Sequence, residues 1–186
     1  MIVKKKVAFD ESPVVIAIDP GIHGAIAFLD LSNRKYEDDW DSCFAGVFDM
    51  PIEPKRSGRN QVDALALLTL LENNFSDLRQ SAQGAALTVI EQVSAMPGQG
   101  VSSMFSLGDS YGVARTAALT LGRIAYISPS HWKKQAGVTK NKVYSLTLAR
   151  RAFPSADEVL KRKKDEGRAE ALLLARYAAQ NIGSLF

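Results

Sequence analysis

Four acidic side chains in this 186-residue chain stand where carboxylates are chemically conspicuous. Asp19 follows the apolar run Val14-Val15-Ile16-Ala17-Ile18 and is held at a Pro-Gly turn; Glu91 closes Ala86-Leu87-Thr88-Val89-Ile90 in the same way. An acid at the end of a buried-type strand is carried to the edge of a sheet, and an ionised carboxylate there needs a partner. Either acid alone reads as a cap or turn residue. Two of them, ending two apolar strands, point to a shared site. Glu166 and Glu170 open the last apolar stretch, and their spacing puts them on one helix face if the helix has begun by Glu166. Acids in a first turn also suit the helix dipole, the competing account of Glu166. Three or four carboxylates from separate elements can hold hard Mg²⁺ ions, which take oxygen ligands and keep several waters. Two such ions about 3.5–4 Å apart can activate a water and stabilise the leaving oxygen of a phosphodiester.

Acids alone would repel a polyanion, and the chain supplies compensation. Between His131 and Lys164 lie Lys133, Lys134, Lys140, Lys142, Arg150, Arg151, Lys161, Arg162, Lys163 and Lys164, against only Asp157 and Glu158. The segment carries about +8 and the remainder about −5, within a net charge of +3. The bland account is a solvated basic face; the functional one is a footprint for polyphosphate. Acid cluster and basic stripe together make sense as a nuclease.

The elements that must position these groups follow from periodicity. Val14–Ile18 and Gly24–Leu29 read as a hairpin about Asp19-Pro20-Gly21, with 45–50 as a third strand stopped by Pro51. The stretch 51–59 reads as a polar loop, and Asn60, three residues before Asp63, as the cap of a helix through 64–71. A fourth strand at 86–90 ends in Glu91, and a fifth at 125–127 is halted by Pro129. Helices are expected over 101–121, where Gly108 and Gly112 weaken the pattern, over 143–153, ended by Pro154, and over 168–181. Three early strands followed by alternating helices and strands predict an α/β domain with a mixed sheet.

The hydrophobic content of 46% and charged content of 23% argue against disorder, and the length suits one well-cored domain, with a core over about 13–182. Cys43 is the sole cysteine, which excludes an intrachain disulfide and suits a reducing compartment. The basic start is interrupted by Asp10 and Glu11 before any secretory apolar region develops, and no run of about 18 apolar residues exists for a membrane helix. The expected location is the cytoplasm.

The order Ile16-Ala17-Ile18-Asp19-Pro20-Gly21, Val89-Ile90-Glu91-Gln92-Val93, Leu107-Gly108-Asp109-Ser110-Tyr111-Gly112 and Gly167-Arg168-Ala169-Glu170-Ala171-Leu172 resembles the RuvC Holliday junction resolvases. Single pieces are weak; four in order over about 160 residues are strong. The resemblance implies a ribonuclease H-like fold, a mixed five-stranded sheet flanked by helices. It also implies a homodimer that makes paired, Mg²⁺-dependent nicks in four-way DNA junctions, with two ions per site and Mn²⁺ as a substitute. Carried over by motif, Asp19, Glu91 and Glu170 resemble the family's acids, although the bacterial enzymes usually have Asp at the last position. The family's remaining ligand normally sits three residues before that acid, which here is Gly167; Glu166, or else Asp165, is the nearest replacement. The short Glu-Gly-Arg-Ala-Glu form looks like that of phage-encoded relatives.

Lys134-Gln135 and Lys140-Asn141-Lys142-Val143 resemble the family's two lysine segments. Lysine there can counter charge on the phosphorane or bind backbone oxygens, so Lys133, Lys134, Lys140 and Lys142 are DNA-binding candidates and Lys140 a catalytic one. A solvated side chain is the simpler account of Lys133 and Lys142. Where the bacterial family often has an aromatic residue after the second acid motif, this chain has Ser94; Met104 and Phe105 are candidates to wedge junction bases apart, with helix core as their simpler role. Trp132 reads as a half-buried aromatic rather than a stacking platform. Lys55, Arg56 and Arg59 either track a DNA arm or keep their loop soluble. Other readings are a flap or fork nuclease of the same fold, a catalytically impaired junction-binding protein, and an actin-like ATPase, which would need a second domain.

Overall fold

The computed structural model describes residues 14–56, 58–82, 86–95, 97–139 and 142–185. Five strands form one sheet in the order β3-β2-β1-β6-β7: β1 (Val14–Ile18), β2 (Ala25–Asp30), β3 (Phe44–Asp49), β6 (Ala86–Glu91) and β7 (Arg123–Ile127). The first three are antiparallel, whereas β6 runs parallel to β1 and β7 parallel to β6. This is the mixed five-stranded α/β sheet the sequence predicted, with its strand limits met to within two residues.

The strands are apolar on both faces because both are covered. Alternation divides them: Val15, Ala17, Ala27, Leu29 and Val89 pack against α4 (Lys142–Ala152) and α5 (Glu166–Gln180). Val14, Ile16, Ile18, Phe28 and Ile90 pack against α1 (Ala64–Ala82) and α2 (Val101–Leu119). Among the described residues no helix is long and apolar enough to cross a membrane.

Three expectations need correction. The stretch read as a loop holds a small hairpin, β4 (Ile52–Pro54) with β5 (Asn60–Val62). Three-residue strands carrying a proline give too short an alternation to read. Asn60 therefore pairs in a strand, and Asp63 caps α1, its Oδ1 accepting from the Ala66 amide at 2.9 Å. Beyond β7 a seven-residue helix, α3 (Pro129–Gln135), occupies what read as the start of a basic segment. Pro129 at its first position is the usual place for proline in a helix.

Candidate metal centre

Strand register brings the first two acids together. Ile18 of β1 pairs with Ile90 of β6, so Asp19 and Glu91 leave the same edge of two adjacent parallel strands, about 4.8 Å apart in strand spacing. The chain then folds sharply after Asp19. The Asp19 amide donates to the Ala25 carbonyl at 2.9 Å and the Gly24 amide to the Gly21 carbonyl at 2.9 Å. A Cβ on Gly24 would lie 2.0 Å from the Asp19 carbonyl oxygen, so only glycine closes this turn.

Helix α5 supplies the other two acids, and the closing motif explains how it docks. A Cβ on Gly167 would stand 2.4 Å from the His23 carbonyl oxygen, which means the first turn of α5 rests directly on the β1–β2 turn. Arg168 grips Asp49 of β3 with two hydrogen bonds of 2.6 Å each and donates to the Val159 carbonyl at 3.1 Å. Glu166 and Glu170, on either side of these contacts, line a cleft of about 810 Å³ together with Asp19. The helix begins at Glu166, two residues earlier than expected, so the two acids do share a face.

Asp165, the other candidate for the fourth position, is placed elsewhere. It is buried and receives the Arg162 amide at 2.7 Å and the Arg162 guanidinium at 2.6 and 2.9 Å. Burial opposes its charge, but these bonds outweigh that and hold its pKa below the ordinary value. Asp165 stabilises the entry to α5 and lies apart from the acid cluster.

Lys133, read as a solvated side chain, is instead in the middle of the acids. Its Nζ lies 2.8 Å from Glu170 Oε2 and 3.5 Å from Glu91 Oε2. Burial works against its charge, yet the bond to Glu170 and the charges of Glu91, Glu170 and Asp19 prevail and raise its pKa. Asp19 shows the opposite imbalance. Burial first, then repulsion from Glu91, Glu170 and Glu166, raises its pKa from 3.8 to about 7 even with Lys133 nearby. Asp19, Glu91 and Glu170 all act on the Lys133 ammonium.

Trp132 is the residue that sequence reasoning missed. It is wholly buried rather than half-buried, and its indole Nε1 donates to Glu91 Oε2 at 2.7 Å. The signal available was the Ser-Pro start of α3 shortly after an apolar strand, which would have set Trp132 on a helix at the sheet's edge.

The remaining expectations divide. Lys134 is exposed on α3. Lys140 and the side chain of Lys142 lie outside the described residues. Phe105 is 74% exposed, against the reading of it as helix core, while Met104 is half-buried. Arg59 lines the acid cleft and bonds Ser102 of α2, and Lys55 pairs with Asp109 at 3.0 Å, so the β4–β5 hairpin is tied to α2. His23 and Lys164 also line the cleft.

The donor set is made of carboxylates only, which suits a hard divalent cation rather than zinc or copper. Among the described residues no three His, Cys, Asp or Glu side chains converge in ion-ligating geometry, and the Lys133 ammonium bridges two of the acids. The raised pKa of Asp19 comes first from burial and then from the neighbouring carboxylates, and those carboxylates are what would suit a cation.

With this geometry in view, comparison with known proteins is informative. Over 161 residues the chain is 30% identical to the chloroplastic Holliday junction resolvase MOC1 of Chlamydomonas reinhardtii. Over that stretch the chain is similar to a Holliday junction resolvase. The match takes in 75% of this chain but only 17% of the algal protein, so the chain spans about a sixth of that relative's length. No protein-family model matches. Among solved structures, T. thermophilus RuvC in complex with a Holliday junction substrate is 14% identical, covering 91% of this chain and 95% of that one at a TM-score of 0.47. The yeast mitochondrial Holliday junction resolvase Ydc2 is 10% identical, with 94% and 82% covered and a TM-score of 0.45.

Proposed function

We propose that this chain is a divalent-metal-dependent endodeoxyribonuclease that resolves four-way DNA junctions. The observation that carries this reading is the gathering of Asp19, Glu91, Glu166 and Glu170 near one sheet edge, with Lys133 between Glu91 and Glu170, on a stretch similar to a junction resolvase. Asp19, Glu91 and Glu170 would hold the metal, with Glu166 in the fourth place. Bound there, two Mg²⁺ or Mn²⁺ ions would supply an activated water and charge stabilisation for in-line hydrolysis of a phosphodiester.

The chain's own residues have separable parts in this. The β1–β2 turn holds Asp19 at the sheet edge, and the Gly167 contact fixes Glu166 and Glu170 against it. Lys133 neutralises Glu91 and Glu170 and is a source of positive charge beside the scissile phosphate. Lys134, Lys140 and Lys142 belong to the basic segment that would bind backbone oxygens. Paired cuts require two active sites, so the working form is a homodimer, and the exposed face of α2 around Val101 and Phe105 is the surface we assign to it.

The test is cleavage of a labelled immobile four-way junction beside a linear duplex and a flap, in Mg²⁺ or EDTA. Paired nicks confined to the junction and abolished by EDTA support the reading. Equal cutting of the flap would make the chain a wider branched-DNA nuclease, and binding without cutting in Mg²⁺ would leave a junction-binding protein.

A further inference from the structure

Glu91 is held by two residues that differ in kind. Lys133 reaches it with a mobile cation at 3.5 Å, whereas Trp132 donates a neutral N–H at 2.7 Å. Among the described residues both contacts fall on Oε2. We infer that Trp132 is a positioning residue for Glu91: its indole N–H anchors Oε2 and leaves Oε1 as the oxygen offered to a cation. This deepens the function proposed above and rests on it for the identity of the cation's role.

The placement is rigid from the backbone upward. Ile127 at the end of β7 pairs with Glu91 at the end of β6, and the Gln92 amide donates to the Ile127 carbonyl at 2.8 Å. Helix α3 starts two residues after Ile127, so its first turn is fixed beside Glu91 by the sheet itself. Trp132 is 0% exposed and belongs to the core packed beneath α4 and α5. Its N–H is a donor only and does not titrate in any working range, so it keeps its hold on Glu91 when charge in the cleft changes. Lys133 cannot do this, because its ammonium and an incoming cation compete for the same oxygens. A purely structural tryptophan needs only some acceptor, or none: the buried Trp40 N–H meets no acceptor among the described residues. Trp132 uses a carboxylate of the acid cluster, a charge-assisted bond.

The two tryptophans make the test direct. In ¹⁵N-labelled protein, the indole N–H resonance lost on Trp132→Phe should lie downfield of the Trp40 resonance. It should move on Glu91→Ala and again on titration with Mg²⁺. If Trp132→Phe fails to fold, Trp40→Phe assigns the same signals. In the second arm, benzothienylalanine at position 132 keeps the ring's shape and removes the donor. The Mg²⁺ concentration for half-maximal junction cleavage should rise about 10-fold or more, with junction affinity unchanged. Wild-type Mg²⁺ dependence in that protein, or a Trp132 resonance indifferent to Glu91→Ala, overturns the inference. A wild-type chain that cuts no junction overturns the proposed activity instead, and the resonance still decides the pairing.

Discussion

Gly167 occupies the place where the resembling family carries a metal ligand, and the structure gives a physical reason for glycine there. A Cβ would sit 2.4 Å from the His23 carbonyl oxygen, and about 1 Å of separation is needed to reach ordinary contact near 3.4 Å. The obstacle is backbone, held by the tight turn that presents Asp19, so it cannot swing aside. Gly167→Ala therefore has to lift the first turn of α5 off the β1–β2 turn. Overpacking of this kind costs about 1–3 kcal/mol, while replacing glycine in a helix returns up to about 1 kcal/mol. The net is a loss of about 0–3 kcal/mol. Activity should suffer more, because the lifted turn carries Glu166 and Glu170 away from Asp19. A misplacement of about 1 Å in a catalytic array costs on the order of 100-fold in rate.

The assay is single-turnover cleavage of a four-way junction in Mg²⁺, run beside urea denaturation of the same protein. Gly112→Ala in α2 is the matched control: open space surrounds that position, so the same change should stabilise by about 0.5–1 kcal/mol. Gly167→Asp, which restores the family's acid, should cut no better than Gly167→Ala. Wild-type cleavage together with a gain in stability in Gly167→Ala would refute the docking argument, as would faster cleavage by Gly167→Asp.

Asp19→Asn should abolish cleavage and spare junction binding, and it should also change metal-free stability with a definite sign. The folded pKa of about 7 lies above the ordinary aspartate value of 3.8, so the folded state binds the proton more tightly and stability falls as pH rises between those values. In EDTA the variant should melt higher than wild type at pH 8 and the same within error at pH 4; equal melting at both would contradict the crowding of charge. Asp165→Asn should cost about 1.5–3 kcal/mol at neutral pH through its lost bonds to Arg162. Because the folded pKa of Asp165 is lowered, that difference should shrink as pH drops below it, as read by denaturation at pH 7 and pH 2–3. Lys133→Ala should destabilise the metal-free protein by about 1–3 kcal/mol and recover most of that on adding Mg²⁺, measured as the shift in Tm with and without EDTA.

The parts that sequence revealed share a cause: each is written in a run long enough to have a period. Val14–Ile18 and Ala86–Glu91 are unbroken apolar strands because helices cover both faces, and their terminal acids follow from the end of the run. The hairpin β4–β5 and the helix α3 have three and seven residues, too few to repeat. The roles of Lys133 and Trp132 were hidden for another reason. Their partners Glu170 and Glu91 lie 37 and 41 residues away, and only the docking of α5 and the pairing of β6 with β7 bring them within reach. Gly167 looked like a missing ligand because sequence records the absent carboxylate and not the carbonyl that fills its space.

Lys133 and the proton on Asp19 answer the same electrostatic demand from two directions. Burial first, and then the charges of Glu91, Glu170 and Glu166, hold the Asp19 pKa up at about 7, so the metal-free cleft keeps a proton that an exposed aspartate would have lost. The protein does not relieve this by spreading the acids, because the three elements that carry them are locked: β1 and β6 by register, α5 by Gly167 and by the Arg168–Asp49 pair. Under the function proposed above, what completes the charge of this locked cluster is a divalent cation, which an all-carboxylate donor set suits.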